Sequence, residues 1–537
     1  MCLVRVKAKE KMTMAHRSQQ RYYSNRGNNF METLNLVAAV PLVFLLVLFL
    51  WSSWIWSRGR SRSSTVNLPP GPQRVPVLGN LHQIGALPHR SLWALARRHG
   101  PVMMLRLGSV PTLVVSSPEA ARAVMKTHDV HCCTRPALQG PRQLTYNFKD
   151  VAFAPYGDHV REMRKLFILE LLSMRRVQAT WDAREAQVGK LMDDLKRAGR
   201  NPVALDEHIF SVMDGIIGTV VFGKIYGTEQ FKMPFLNMLR EAMDMLGSMC
   251  AEDFLPSMAG RLIDRLTGLV KRRERIFRRL DAFFDSVIED HLNLPSSKKV
   301  DKENSQSNLV QALVELWLGN GSAMTFTRDH VKAMLFDTFV GGINTTAVTM
   351  VWAMSELIRH PRALKSVQDE IRAVVGKKGR VTPDDVPKLK NLKMVVKETL
   401  RLHPPLPLLL PRETSKEVNV IGYNVPANTR VIVNAWAIGR DRDIWEDPEK
   451  FDPERFMGSA IDYNGANFEF TPFGSGRRIC PGMAMAVTNI EFTLGNLLCC
   501  FDWELPEGVR KEDISMQETG SLAFHKKTPL ILVPRTS

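Results

Sequence analysis

The run Phe473-Gly474-Ser475-Gly476-Arg477-Arg478-Ile479-Cys480-Pro481-Gly482 sets one cysteine in a glycine-rich loop, just before a stretch from 481 towards 498 that reads as helix. Pro suits the first position of a helix, and a helix amino terminus lowers the pKa of a nearby thiol, so Cys480 is expected as a thiolate. Gly474, Gly476 and Gly482 let backbone approach a large flat partner and turn N–H groups toward sulfur. Arg478 offers a fixed cation to a carboxylate. Together these features suit an axial thiolate on haem iron, with Arg478 on a haem propionate. A bare cysteine reads better as a buried structural residue, but the whole pattern outweighs that alternative. The seven cysteines are odd in number, lack any C-x-x-C spacing and include two adjacent pairs. That excludes a disulfide framework or a zinc site and favours a reducing compartment.

Such a loop needs a facing wall. The best candidate is a helix over 327–360, with Thr327 as cap, Asp329 in the first turn and Pro361 as terminator. Between Asp337 and Glu356 it has no charge, yet it carries Thr338, Gly341, Gly342, Asn344, Thr345, Thr346 and Thr349. So many small and polar groups suit a buried central helix better than a lipid-facing one. The pair Gly341-Gly342 costs about 1 kcal/mol per glycine relative to Ala, a cost that makes sense where something flat lies against the backbone. Glu398 and Arg401 stand three apart on one helix face, and Phe451-Asp452-Pro453-Glu454-Arg455-Phe456 supplies a second arginine. Short strands are expected at 102–107, 112–116, 417–423 and 430–434.

These motifs, in this order, resemble the cytochrome P-450 superfamily in its plant microsomal form. The chain carries its E-x-x-R, P-E-R-F and cysteine-loop elements, and Gly341-Gly342-Ile343-Asn344-Thr345-Thr346 is similar to its oxygen-binding segment. The resemblance spans residues 34–537. It implies a mainly α fold, a helical prism with small β-sheets, preceded by a single transmembrane helix. It implies haem b on Cys480, with Phe473, Gly474, Gly476, Arg478 and Gly482 around it, and Glu398, Arg401 and Arg455 as a buried network behind it. Arg164 and Arg412 stand where further propionate contacts belong. Thr345 would orient oxygen and its protons, with Asn344 as its neighbour in the relay. Two positions depart from the family pattern. Asn344 replaces a carboxylate and cannot ionise. Val160 replaces the tryptophan of a W-x-x-x-R segment, removing one propionate hydrogen bond.

The implied reaction is monooxygenation, in which a thiolate ligand favours O–O cleavage. No glycine-rich dinucleotide fingerprint follows a strand, so electrons must come from a separate NADPH–cytochrome P-450 reductase, docking on basic residues such as Arg477 and Lys165. Stretches at 129–136, 214–220, 251–254, 394–398, 431–440 and 518–525 resemble members that act on aldoximes in cyanogenic glucoside synthesis. Those members form a nitrile and then a hydroxynitrile, beside neighbouring pathway enzymes. Substrate contacts are expected at 145–153, Phe339, Gly342, 408–410 and 522–524. The rival readings are a hydroxylase of another plant metabolite and a catalytically silent haem-binding membrane protein.

The chain has 537 residues and a formal net charge of +17, a balance that suits an anionic partner. No motif supports nucleic acid. Residues 34–56 form an uncharged apolar run of about 35 Å at 1.5 Å per residue, closed by Trp51, Trp54 and Trp56 and followed by Arg58, Arg60 and Arg62. That reads as a single-pass anchor in the endoplasmic reticulum membrane with the catalytic domain, 81–537, in the cytosol. Residues 1–30 are a basic extension that reads as a gene-model artefact or an unstructured segment. Residues 57–80 are a basic, proline-rich hinge, and 294–308 an exposed loop. Residues 1–66 carry +8 of the charge and the remainder +9.

Overall fold

In this computed structural model, residues 67–223, 229–293, 308–319 and 325–536 are described, without the side chains of 229–234. The basic extension, the anchor at 34–56 and all but the last residue of 294–308 lie outside them. The chain divides into two units, Met1–Thr65 with Val75–Val77, and Val66–Arg74 with Leu78–Ser537. The second unit carries all the helices and strands found among the described residues.

Ten of its helices frame the core: α1 (Pro88–His99), α2 (Asp158–Phe167), α3 (Trp181–Ala198), α4 (Leu205–Phe222), α5 (Leu269–Leu292), α6 (Arg328–Gly342), α7 (Asn344–Arg359), α8 (Pro361–Val375), α9 (Lys390–Leu402) and α10 (Met483–Cys500). The long central helix expected over 327–360 is two helices, broken at Ile343. The start and end are as expected, with the Thr327 N–H donating to His330 Nδ1 at 3.1 Å and Pro361 opening α8. At the break the Thr345 hydroxyl donates to the Gly341 carbonyl at 2.6 Å, a back-bond that favours bending. Two consecutive glycines at the same place lower the resistance to bending.

Helices α4, α6, α7, α9 and α10 contribute to one large apolar core. Phe339 on α6 belongs to it, its ring 4.9 Å from that of Phe222 and 4.6 Å from that of Phe235. Among the described residues α10 is the one helix long and apolar enough to cross a membrane. It is 78% buried inside the protein, so it reads as a core helix.

The sheets are small. In the largest, β1 (Val102–Leu107), β2 (Val110–Val115), β4 (Arg412–Glu413) and β7 (Arg430–Val433) lie in the order β1-β2-β7-β4, with only β2 and β7 parallel. The strand expected over 417–423 is a hairpin, β5 (Val418–Val420) and β6 (Tyr423–Val425). Its two turn residues, Ile421 and Gly422, both have positive φ, the geometry that joins antiparallel strands most tightly. Strand β3 (Val203–Ala204) pairs with β11 (Ile531–Thr536), which also takes β8 (Phe501–Glu504). Strands β9 (Glu518–Gly520) and β10 (Phe524–Lys526) form a separate ladder. The proline-rich segment is extended, as fixed proline φ angles require, but it is docked rather than free. Met104 N–H donates to Pro70 O at 2.8 Å.

Candidate active site

Helices α6 and α7 and the loop 473–482 border one cavity of about 260 Å³. The loop is shaped by backbone bonds: Cys480 N–H donates to Phe473 O at 2.9 Å and Gly474 N–H to Thr471 O at 3.0 Å. Gly476 has φ +69°, and a Cβ there would sit 2.2 Å from Met125 O, so only glycine fits. Helix α10 begins at Met483, not Pro481, with Gly482 before it. Burial pushes the Cys480 thiol up, while the Gly482 N–H and the charge of Arg164 pull it down only in part. A thiolate at Cys480 is the form in which a cysteine ligates haem iron.

The cavity wall brings together Cys480, Phe473, Gly474, Gly482, Thr345, Gly341, Gly342 and Thr346 with four arginines, Arg135, Arg164, Arg412 and Arg478. Arg478 donates to the carbonyls of Cys133 (2.8 Å), Val151 (3.2 Å) and Ala154 (2.6 Å). Arg135 donates to Ala152 O (3.0 Å), Leu410 O (2.7 Å) and Pro411 O (2.9 Å). Arg164 donates to Ile479 O. Arg412 bridges Asp129 Oδ1 (2.8 Å) and Ser475 O (2.7 Å). Burial lowers the Arg478 pKa to about 10. It also moves Arg164 below its ordinary value.

Arg135, Arg164 and Arg478 make no ion pair with a carboxylate among the described residues, so the wall suits a buried anionic ligand. Among the described residues no group of three or more His, Cys, Asp or Glu could hold a metal. A metal on Cys480 must bring its remaining ligands with it. A Cβ on Gly341 would meet nothing within 4 Å, and Thr346 Oγ1 is buried without a hydrogen-bond partner. A flat, dianionic metal macrocycle satisfies each of these features, and haem is such a group.

Glu398, Arg401 and Arg455 form the network behind the loop. Arg401 Nε and Nη2 donate to Glu398 Oε2 and Oε1 at 2.7 and 2.8 Å, and Arg455 Nε donates to Oε1 at 3.0 Å. Glu398 and Arg401 side chains are fully buried, which excludes a solvated surface pair. None of the three lines the cavity, so they position the fold around the site. Gly476 stands outside the lining too, and so does Asn344, the first residue of α7. Val160 is buried on α2, one turn from Arg164. Of the expected substrate contacts, Val151, Ala152, Gly342, Leu409 and Leu410 line the cavity. Phe339 is in the core, and 522–524 are not in the lining.

Sequence reasoning misses Arg135, Asp129 and Asp337. Asp129 holds Arg412 and also accepts from Arg477 N–H at 2.8 Å, tying the loop to the preceding half of the chain. Asp129 and Arg135 sit in the 129–136 stretch, whose only signal is a resemblance. Asp337 has none, since in the sequence it only marks the end of an uncharged run.

Known proteins give the same picture. The chain matches the Cytochrome P450 family model over residues 69–533. It is 55% identical over 508 residues to a 4-hydroxyphenylacetaldehyde oxime monooxygenase of Sorghum bicolor, covering 93% of this chain and 94% of that one. It is 46% identical over 503 residues to a 2-methylbutanal oxime monooxygenase of Manihot esculenta, covering 93% and 96%. A zebrafish cytochrome P450 structure with progesterone shares the fold, with a TM-score of 0.71 at 24% identity over 84% of this chain and 100% of that one. The one cysteine on the cavity wall, the arginines that make no ion pair among the described residues and these matches together make this chain a member of the cytochrome P450 family, haem-thiolate monooxygenases that use dioxygen and electrons from NADPH.

Proposed function

We propose that this enzyme converts an arylacetaldehyde oxime, 4-hydroxyphenylacetaldehyde oxime, to the nitrile and then to the α-hydroxynitrile, in cyanogenic glucoside synthesis. The observation that carries this reading is the 55% identity, over nearly the full length, to the sorghum oxime monooxygenase. The first step is redox-neutral, with the oxime losing water to give the nitrile. The second consumes one dioxygen, two electrons and two protons and releases one water. When bound, the haem supplies dioxygen activation and an acceptor for the oxime nitrogen.

The chain's own residues then divide the work. Cys480 would hold the iron, and Arg164, Arg412 and Arg478, which share the cavity wall with it, would take the propionates. Leu171, Leu172, Ile217, Leu409 and Leu410 exclude water from the substrate. Thr345 Oγ1, its proton directed to Gly341 O, keeps its lone pairs for a proton relay. Asn344 cannot ionise, and this weighs more on the hydroxylation than on the dehydration. Electrons arrive from an NADPH–cytochrome P-450 reductase, for which exposed Arg477 and Lys165 offer a basic face. Residues 34–56 would anchor the chain in the endoplasmic reticulum membrane; with translation from Met31, which leaves out the seven basic residues of 1–30, the three arginines after the span would keep the body in the cytosol.

The test is expression with a plant reductase and NADPH, supplied with the oxime. Nitrile and hydroxynitrile are the expected products. A haem-thiolate carbon monoxide band without turnover would turn the reading toward another plant metabolite. Cys480→Ala should abolish both the band and the products.

A further inference from the structure

Met485, Ala486, Asn489 and Ile490 of α10 line the cavity. Their spacing puts them on one face of the helix that follows Cys480. Three are apolar and the fourth, Asn489, is 1% exposed. Its Oδ1 accepts from Arg184 Nε, on α3, at 2.6 Å. A guanidinium only donates, so this bond fixes which end of the amide faces Arg184. The other end, Nδ2, is buried without a hydrogen-bond partner. The positive pole of the amide is therefore the part of Asn489 that the protein leaves unmatched.

Behind that amide sits a full charge. Arg184 is completely buried. It donates to Val177 O at 2.7 Å and Thr180 Oγ1 at 2.6 Å, while its Nη2 has no partner. It makes no ion pair with a carboxylate among the described residues. Burial lowers its pKa to about 10, which still leaves it charged at neutral pH. Arg184 does not itself line the cavity, so it is no propionate ligand; Asn489 connects it to the wall. A buried, unpaired cation is costly to keep unless negative charge gathers near it. The established reaction supplies such a charge. In the oxidised state the thiolate and the two ring charges balance ferric iron. One electron from NADPH, delivered through the reductase, leaves one negative charge in excess.

We propose that Asn489, backed by Arg184, sets the reduction potential of the bound haem and favours entry of the first electron. The step takes ferric iron to ferrous iron, with no bond made or broken and no proton moved. Both side chains are positioning residues, and their role does not depend on the oxime reading.

Spectroelectrochemical titration of the full-length, haem-loaded protein tests this without any substrate. Asn489→Asp keeps an acceptor for Arg184, removes the N–H donors and cancels the cation. The ratio of reduced to oxidised haem at a fixed potential should fall at least about tenfold, which is ~59 mV for a one-electron couple. Asn489→Leu removes the donors but leaves the cation, so the ratio should fall by less. The haem-thiolate carbon monoxide band should stay in place in both, since neither change touches Cys480. A pair with only a structural role would lower the melting temperature of the variants and leave the potential at the wild-type value. That result, or a raised potential, in whichever variant retains haem would overturn the proposal. Loss of haem from both variants would overturn it as well, because the pair would then serve only to hold the fold.

Discussion

Glu398 receives four donors: two from Arg401, one from Arg455 and the Asp452 N–H at 2.8 Å. Arg401 in turn donates to Gly439 O, Pro448 O and Lys450 O, so one ion pair fixes the chain from 439 to 452 behind the cysteine loop. Removing one partner of a buried pair leaves the other charge stranded, so Glu398→Gln should cost about 3–5 kcal/mol. Thermal unfolding measures it, and Arg455→Lys should cost less because that side chain is partly exposed. On the proposed oxime reading, Thr345→Val would remove the relay hydroxyl and leave the dehydration intact. The ratio of nitrile to hydroxynitrile should rise at least about tenfold, within the usual worth of a proton-transfer group. Cys480, Arg478 and Thr345 are legible in the sequence because their types sit in short local motifs. Arg135 and Asp129 are not, because their roles arise from partners far away in the chain.

At the scale of elements, the 473–482 loop depends on one position more than any other. Gly476 combines φ +69° with a backbone packed against Met125 O and the Asp129 carboxylate. Gly476→Ala forces either a strained backbone or displacement of the loop, a cost of about 1–3 kcal/mol from the dihedral alone. The haem content of purified protein should fall while far-ultraviolet circular dichroism is largely kept. Helices α6 and α7 illustrate what periodicity misses. An apolar run and two terminal signals read as one helix, because nothing in the count of apolar residues reveals which acceptor Thr345 takes. The β5–β6 turn escapes for a similar reason, since Ile421 is a poor advertisement for a tight turn.

At the scale of the molecule, the amino-terminal and carboxyl-terminal parts of the folded body are joined by Glu518, which accepts from His89 Nε2 at 2.9 Å and ion-pairs with Arg90. Burial raises this carboxyl, but His89 and Arg90 outweigh it and hold the pKa at about 2, below the ordinary value of 4.5. A carboxylate depressed on folding stabilises above its unfolded pKa and loses that contribution as pH falls through the folded value. Stability should therefore decline between about pH 4.5 and pH 2, and Glu518→Gln should flatten that limb in denaturant titrations. The fold class is legible at this scale because helix-forming patterns and the cofactor loop agree. The division of the +17 charge is legible too, since a count needs no coordinates.

The cavity wall is assembled from two kinds of support. Around Cys480, Arg135 and Arg478 each donate to three carbonyl oxygens of distant segments, and Arg412 is held by Asp129 and Ser475 O. The side chains of Leu171, Leu172, Ile217, Leu409 and Leu410, on the same wall, are held only by packing. An aliphatic wall accepts exchange of one hydrocarbon side chain for another at modest cost. The molecule is therefore evolvable by halves: its diet can drift through conservative changes in one kind of support while the chemistry on the other stays untouched.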